Sequence, residues 1–178
     1  MDKGYYITKS GEKVILKPNK RINVSRKNII ELIIPDGVEY IFCSDNNLTE
    51  LVLPDGVKDV FCNNNKLTEL ILPDGVKYIS CYDNKLTELI LPDSVKWVNC
   101  DNNKLTELIL PDSVEKVYCD NNNLTELILP YGVEVVSCEN NNLTKLILPD
   151  GVNKVFCDAG LIDLDMYKNK EIEINIYY

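Results

Sequence analysis

The chain is 178 residues long, the size of one domain, and carries 19 Lys and Arg against 28 Asp and Glu, a formal net charge of -9. It has no histidine and seven cysteines, so a Ser-His-Asp triad, a Cys-His dyad and a His-ligated metal site are all excluded. Acidic balance also argues against nucleic acid, which needs clustered Lys and Arg, while 45% hydrophobic residues are enough for a folded core.

The first residues, MDKGYYITKS, contain no apolar run of the kind a signal peptide needs. No stretch approaches the ~18 apolar residues of a membrane span. An odd number of cysteines without an export signal points to a reducing compartment, so the expected location is cytoplasmic, or a host cytoplasm for a viral or effector protein. Residues 5–16, YYITKSGEKVIL, read as a hairpin turning at Ser10-Gly11. It is assigned to an N-terminal cap over residues 1–18.

From residue 19 the chain is a repeat. The cysteines stand at 43, 62, 81, 100, 119, 138 and 157, every gap being 19 residues. Seven of the eight prolines keep the same period. A fixed period near 20 is the signature of a solenoid. One unit, residues 57–75, reads VKDVFCNNNKLTELILPDG, and six such units run without a gap from 38 to 151. A degraded unit, 19–37, precedes them and a truncated one follows. The solenoid is therefore placed at 19–159, about seven coils.

Within a unit the apolar positions are 1, 4, 6, 11, 14 and 16, in the second unit Val57, Val60, Cys62, Leu67, Leu70 and Leu72. The alternation around Val60 and Cys62 predicts a strand with one buried face, and Leu-Thr-Glu-Leu-Ile-Leu a second extended run. Each run is too short for a helix and ends in Pro or Asn. Pro-Asp-Gly predicts a type I turn with Pro second and Gly fourth. Ser94 and Ser113 replace that Gly in two units, so the position is not expected to need a positive φ. Position 9 is always Asn (46, 65, 84, 103, 122, 141), an amide that can satisfy backbone groups where the chain leaves the strand. The cysteines form a buried row whose parallel side chains suit neither disulfides nor tetrahedral zinc, and no cofactor or metal is expected. At the far end EIEINIYY alternates and predicts a last strand after a loop near 160–170. Residues 160–178 are assigned to a C-terminal cap, because a solenoid leaves apolar ends that its terminal units must cover.

Val57-x-x-Val60-x-Cys62-x-x-Asn65-x-Leu67 resembles the leucine-rich-repeat core LxxLxLxxNxL, with Cys in the third apolar slot. The remainder, LTELxLPDG, resembles the short Pro-containing segments of bacterial and giant-virus leucine-rich repeats. The resemblance covers about residues 19–160. It implies an all-β leucine-rich-repeat solenoid: a right-handed coil, a parallel sheet on the concave face and an extended convex side. It also implies a non-enzymatic module that binds a protein partner through the concave face.

The six copies differ most at positions 3, 5 and 7, the outward residues of the first strand. These hold Tyr40, Phe42, Phe61, Tyr78, Tyr82, Trp97 and Tyr118, with Tyr78 and Trp97 expected side by side on strands ~4.8 Å apart. Position 7 adds a row of carboxylates, Asp101, Asp120, Glu139 and Asp158, which a basic partner would relieve. These eleven residues are the candidate partner site; cross-strand stabilisation and solvated charge are the alternative readings of the same rows. Position 15 forms a third row, Val52, Ile71, Ile90, Ile109, Ile128 and Ile147, expected to point outward on the convex side. The alternative function is a self-assembling scaffold, a weak homodimer through that stripe. Lys66, Lys85 and Lys104 are placed to offset the neighbouring Glu row.

Overall fold

The computed structural model describes residues 4–167 and 170–178. Its strands are β1 (Tyr5–Thr8), β2 (Lys13–Ile15), β3 (Arg21–Asn23), β4 (Ile29–Ile33), β5 (Tyr40–Phe42), β6 (Asp59–Phe61), β7 (Tyr78–Ser80), β8 (Trp97–Asn99), β9 (Lys116–Tyr118), β10 (Val135–Ser137), β11 (Lys154–Asp158) and β12 (Glu173–Tyr177). One 3-10 turn, Leu164–Met166, is the helical element among the described residues. It falls inside the expected loop 160–170, of which residues 168 and 169 lie outside the described residues.

β3 and β5 through β12 form one nine-stranded parallel sheet in which sequence neighbours are spatial neighbours. Tyr40 faces Asp59, Asp59 faces Tyr78 and Tyr78 faces Trp97, each partner standing 19 residues on. A repeat in register with its own period turns every position into a ladder. The ladder runs past the short strands, since each Cys N–H donates to the next coil's position 5 carbonyl, as Cys43 does to Phe61 at 2.8 Å. Val57, Val60, Cys62 and Leu67 have no exposure and Leu70 has 4%, so the apolar positions form one continuous core.

The corner after the strand uses two Asn-type positions. Position 8 is Asp45, Asn64, Asp83, Asn102, Asn121 or Asn140, and every one has φ between 52° and 57°. Asn and Asp tolerate this left-handed conformation better than other residues with a side chain. Position 9 then points its amide inward. In Asn65 the Oδ1 accepts from Leu48 N–H at 3.0 Å, while the Nδ2 donates to the carbonyls of Cys43 and Cys62 at 3.1 and 2.9 Å. Each Asn thus ties its own coil to the preceding one.

The turn after Pro differs from the sequence expectation. Val95 N–H donates to Pro92 O at 3.1 Å, and Val114, Val133 and Val152 repeat the bond, so Pro is first in the turn and Asp second. In the early coils Gly37, Gly56 and Gly75 have φ of 81°, 84° and 91°, as the third residue of a type II turn requires. From Ser94 onward the positive φ disappears, and Ser94 and Ser113 spend their Oγ on the carbonyls of Val76 and Val95 at 2.7 Å. One sequence position therefore hosts two turn types, and a positive φ calls for Gly only in the first three, although at Gly151 an added Cβ would stand 2.8 Å from the Tyr131 carbonyl oxygen.

On the convex side, among the described residues, no backbone bond joins residues 49–53, 68–72, 87–91, 106–110 and 125–129 to one another. The coils are held there by buried Leu alone. The ends differ from the middle. β1 pairs antiparallel with β2 and also with β4, giving a three-stranded sheet. The hairpin is as expected, though its turn centres on Lys9-Ser10, with Gly11 N–H donating to Thr8 O at 2.9 Å. The first convex segment becomes a true strand because β1 supplies the edge that later coils lack. At the other end β12 extends the main sheet, Glu173 facing Lys154, and Ile172 and Ile174 pack on the core.

Candidate functional site

The concave face is built from positions 3, 5 and 7 of successive coils, which the ladder stacks into three rows. Phe42 and Phe61 lie on adjacent strands with ring centroids 5.0 Å apart and planes within 4°. The Arg21 guanidinium sits 4.3 Å from the Phe42 centroid. Trp97 does not stack on its register neighbour Tyr78. It instead reaches diagonally to Phe61 at 6.4 Å and to Tyr118 at 6.2 Å. The strand between Phe61 and Trp97 makes room by carrying Ser80, 3% exposed, at position 5. The result is a ridge of four rings, Phe42, Phe61, Trp97 and Tyr118, all half-buried, with the Arg21 cation at one end.

Tyr40 and Tyr82 are half-buried and Tyr78 is 42% exposed, and among the described residues none of the three joins the ring contacts. They border the ridge.

The carboxylate row is not the freely solvated charge that alternation suggested. All four acids are half-buried, and three bond to neighbouring coils. Asp101 accepts from Asp120 N–H at 2.8 Å, Asp120 accepts from Glu139 N–H at 2.7 Å, and Asp158 accepts from Asn140 N–H at 3.0 Å. Asp120 also receives the Ser137 hydroxyl on both oxygens at 2.8 Å. Burial, then the charge of Asp120, pushes the Asp101 carboxyl up to about 6. Asp120 and Glu139 are raised in the same direction, by burial first. The row is thus partly committed to the ladder, and Glu139 is the member whose carboxylate has no hydrogen bond among the described residues. Position 7 is not simply outward: Asn63 at the same place is buried, as are Ser80 and Ser137 at position 5. Among the described residues no group of His, Cys, Asp or Glu is arranged to hold a metal ion.

The cysteine row is buried and unpaired. Burial raises the thiols, Cys43 to about 12 and Cys157 to about 11. Such thiols are unreactive apolar spacers rather than nucleophiles.

The convex stripe stands as expected from its place between inward Leu residues. Val52 is 65% exposed, Ile71, Ile90, Ile109 and Ile128 72% or 73%, and Ile147 63%. Two carboxylate rows border it, both exposed: Glu50, Glu69, Glu88, Glu107 and Glu126 at position 13, and Asp55, Asp74, Asp93 and Asp112 at position 18. The lysines at 66, 85 and 104 make no ion pair with either row among the described residues; the ion pairs lie elsewhere, as in Lys20–Glu39–Lys58 and Lys96–Glu115. Sequence reasoning saw the Glu row but missed the second acidic rim, although its signal, Asp after every repeat Pro but one, was in plain view. It also missed position 8, whose signal was an Asn or Asp in all six copies.

Among the described residues no helix is long and apolar enough to cross a membrane. No family model and no curated protein matches the chain. Solved structures do. YopM from Yersinia enterocolitica WA-314 superposes with a TM-score of 0.70 at 26% identity, over 77% of this chain and 37% of that one. A Shigella effector leucine-rich-repeat domain superposes with a TM-score of 0.71 at 23% identity, over 89% of this chain and 81% of that one. The chain therefore spans little more than a third of the length of the YopM structure it matches.

Proposed function

We propose that this chain, a leucine-rich-repeat solenoid by its fold, is a non-enzymatic module that binds a protein partner on the concave face. The observation that carries the reading is the ring ridge from Phe42 to Tyr118. Large rings held half-exposed on a rigid ladder lose little entropy on binding and supply the anchors that dominate interfaces. Tyr40, Tyr78 and Tyr82 border the ridge, and Asp101, Asp120, Glu139 and Asp158 beside it favour basic side chains at the partner's rim. Glu139 is the best placed of these, since its carboxylate is uncommitted. The fold shared with an effector's repeat domain supports a protein as the partner class. A location in a cytoplasm, that of a host included, is part of the same proposal.

The test is a quantitative pull-down comparing the wild-type chain with Phe61→Ala/Trp97→Ala, with circular dichroism to confirm that both are folded. Partners lost from the double variant support the concave site. Identical sets of captured proteins refute it.

A further inference from the structure

We infer that the convex face is a second docking surface, and that its occupant is a cationic amphipathic helix of a partner protein. The inference goes beyond the concave reading and does not depend on it.

The convex stripe offers six branched apolar side chains in line, on the order of several hundred Å² of contiguous apolar surface, as large as the functional patches of soluble proteins. Between successive coils lie hollows of about 310, 210 and 270 Å³, each floored by Leu and walled by carboxylates and a branched apolar pair, Val52 and Ile71 in the first and two Ile in the others. They exist because the convex segments share no backbone ladder. The stripe is therefore a row of knobs and holes repeating at the coil spacing, ~4.8 Å. A helix presents side chains every 5.4 Å or so along one face, a close match. A strand presents them every ~6.7 Å, and falls out of step within two coils.

The rims decide the charge. Glu88 and Glu107 lie on one side of Ile90 and Ile109, and Asp93 and Asp112 on the other, without ion pairs among the described residues. A second copy placed face to face would bring carboxylates against carboxylates, and an anionic lipid surface would meet the same repulsion. A helix with an apolar stripe flanked by Lys or Arg on both sides satisfies the stripe and both rims together. Tyr131 replaces the Asp in the fifth full coil and Lys145 the Glu in the sixth, so both rims are acidic over four coils and the Glu rim runs over five. A helix of about 13 residues spans it.

The probe is an 18-residue Leu/Lys peptide with helical spacing, its scrambled isomer and a Leu/Glu counterpart, titrated into the full chain by fluorescence anisotropy. The Leu/Lys peptide is expected to bind at least tenfold tighter than either control. Ile90→Ser/Ile109→Ser should weaken it at least tenfold. Glu88→Gln/Glu107→Gln with Asp93→Asn/Asp112→Asn should flatten its salt dependence. Phe61→Ala/Trp97→Ala should leave it unchanged, which separates this surface from the concave one. Equal binding by the scrambled peptide, or undiminished binding by the Ser variant, would overturn the inference in favour of bulk charge. A wild-type chain that sediments as a dimer, and a Ser variant that sediments as a monomer, would overturn it in favour of a second copy.

Discussion

Replacing one ladder asparagine tests the fold at its most repeated feature. Asn103 Oδ1 accepts from Leu86 N–H at 3.0 Å, and its Nδ2 donates to Cys81 O and Cys100 O at 3.1 and 3.0 Å. Asn103→Ala removes these three bonds and a longer one to Asp101 O at 3.2 Å, but the losses are unequal. Cys81 O keeps a bond from Asn84 at 3.0 Å, and Cys100 O keeps one from Asn122 at 3.0 Å. The Leu86 amide is left with nothing. One orphaned buried N–H costs about 1–3 kcal/mol, and the weakened carbonyls add less, so a loss of about 2–3 kcal/mol is expected. Asn103→Asp should cost more than Ala, because it keeps the Leu86 acceptor but faces a carboxylate toward two carbonyls. Urea unfolding measures the totals, with exposed Thr106→Ala as a control expected within about 0.5 kcal/mol of wild type. Hydrogen exchange gives the local readout: the Leu86 amide loses protection, while the Leu124 amide, held by Asn141 at 3.0 Å, keeps it. A loss under about 1 kcal/mol, or a protected Leu86 amide in the Ala variant, would refute the reasoning.

Three further outcomes follow from the geometry. Asp101 is raised from 3.8 to about 6, so the folded state holds a proton that the unfolded state has released, and stability falls as pH rises from about 4 to 6. Asp101→Asn keeps the acceptor for Asp120 N–H and should stabilise by about 1–2 kcal/mol at pH 7, after discounting for solvent screening, with the gain vanishing below about pH 4; a pH-independent difference would contradict it. Native protein should leave its thiols unmodified by a thiol reagent, with all seven reacting in denaturant; rapid labelling of any in the native state would show a coil that opens. Gly56→Ser should destabilise by about 1–2 kcal/mol because φ there is 84°, although Ser stands at the same repeat position in 94 and 113; thermal unfolding of Gly56→Ser beside Ser94→Gly checks the asymmetry.

Periodicity made the architecture legible. Once Cys and Pro recur every 19 residues, register follows: each residue faces its own copy, and alternation assigns Val60 and Cys62 inward without any tertiary information. Position 9 was legible for the same reason, since the same amide recurs in all six copies where the chain leaves the strand and its backbone groups need partners. The terminal units were legible in kind but not in pairing. Ile29–Ile33 differs from the later convex segments by Ile29-Ile30 in place of Leu-Thr, and by its neighbour. It becomes β4 because β1 offers a free edge, and that is a property of the end of a stack rather than of the segment. The two turn types at Pro-Asp-Gly escaped similarly, because Gly tolerates both and hides the difference that Ser94 and Ser113 expose.

The concave site was legible as rows and illegible as contacts. Register correctly sets Tyr78 beside Trp97, yet a side chain as long as indole is not confined to its nearest neighbour. Diagonal partners on adjacent strands lie within reach of an aromatic ring. The choice then falls to whatever occupies the position between, and a buried Ser80 leaves the indole free to meet Phe61 two strands away. The acid row failed for a related reason. Alternation assigns position 7 to the outward face, but the strand has ended by then and the chain is turning toward the left-handed residue at position 8. Side chains there lie along the rim, where their oxygens meet the N–H of the next coil. Outward and hydrogen-bonded are both true of Asp120. The first is written in the period, and the second depends on where the strand stops.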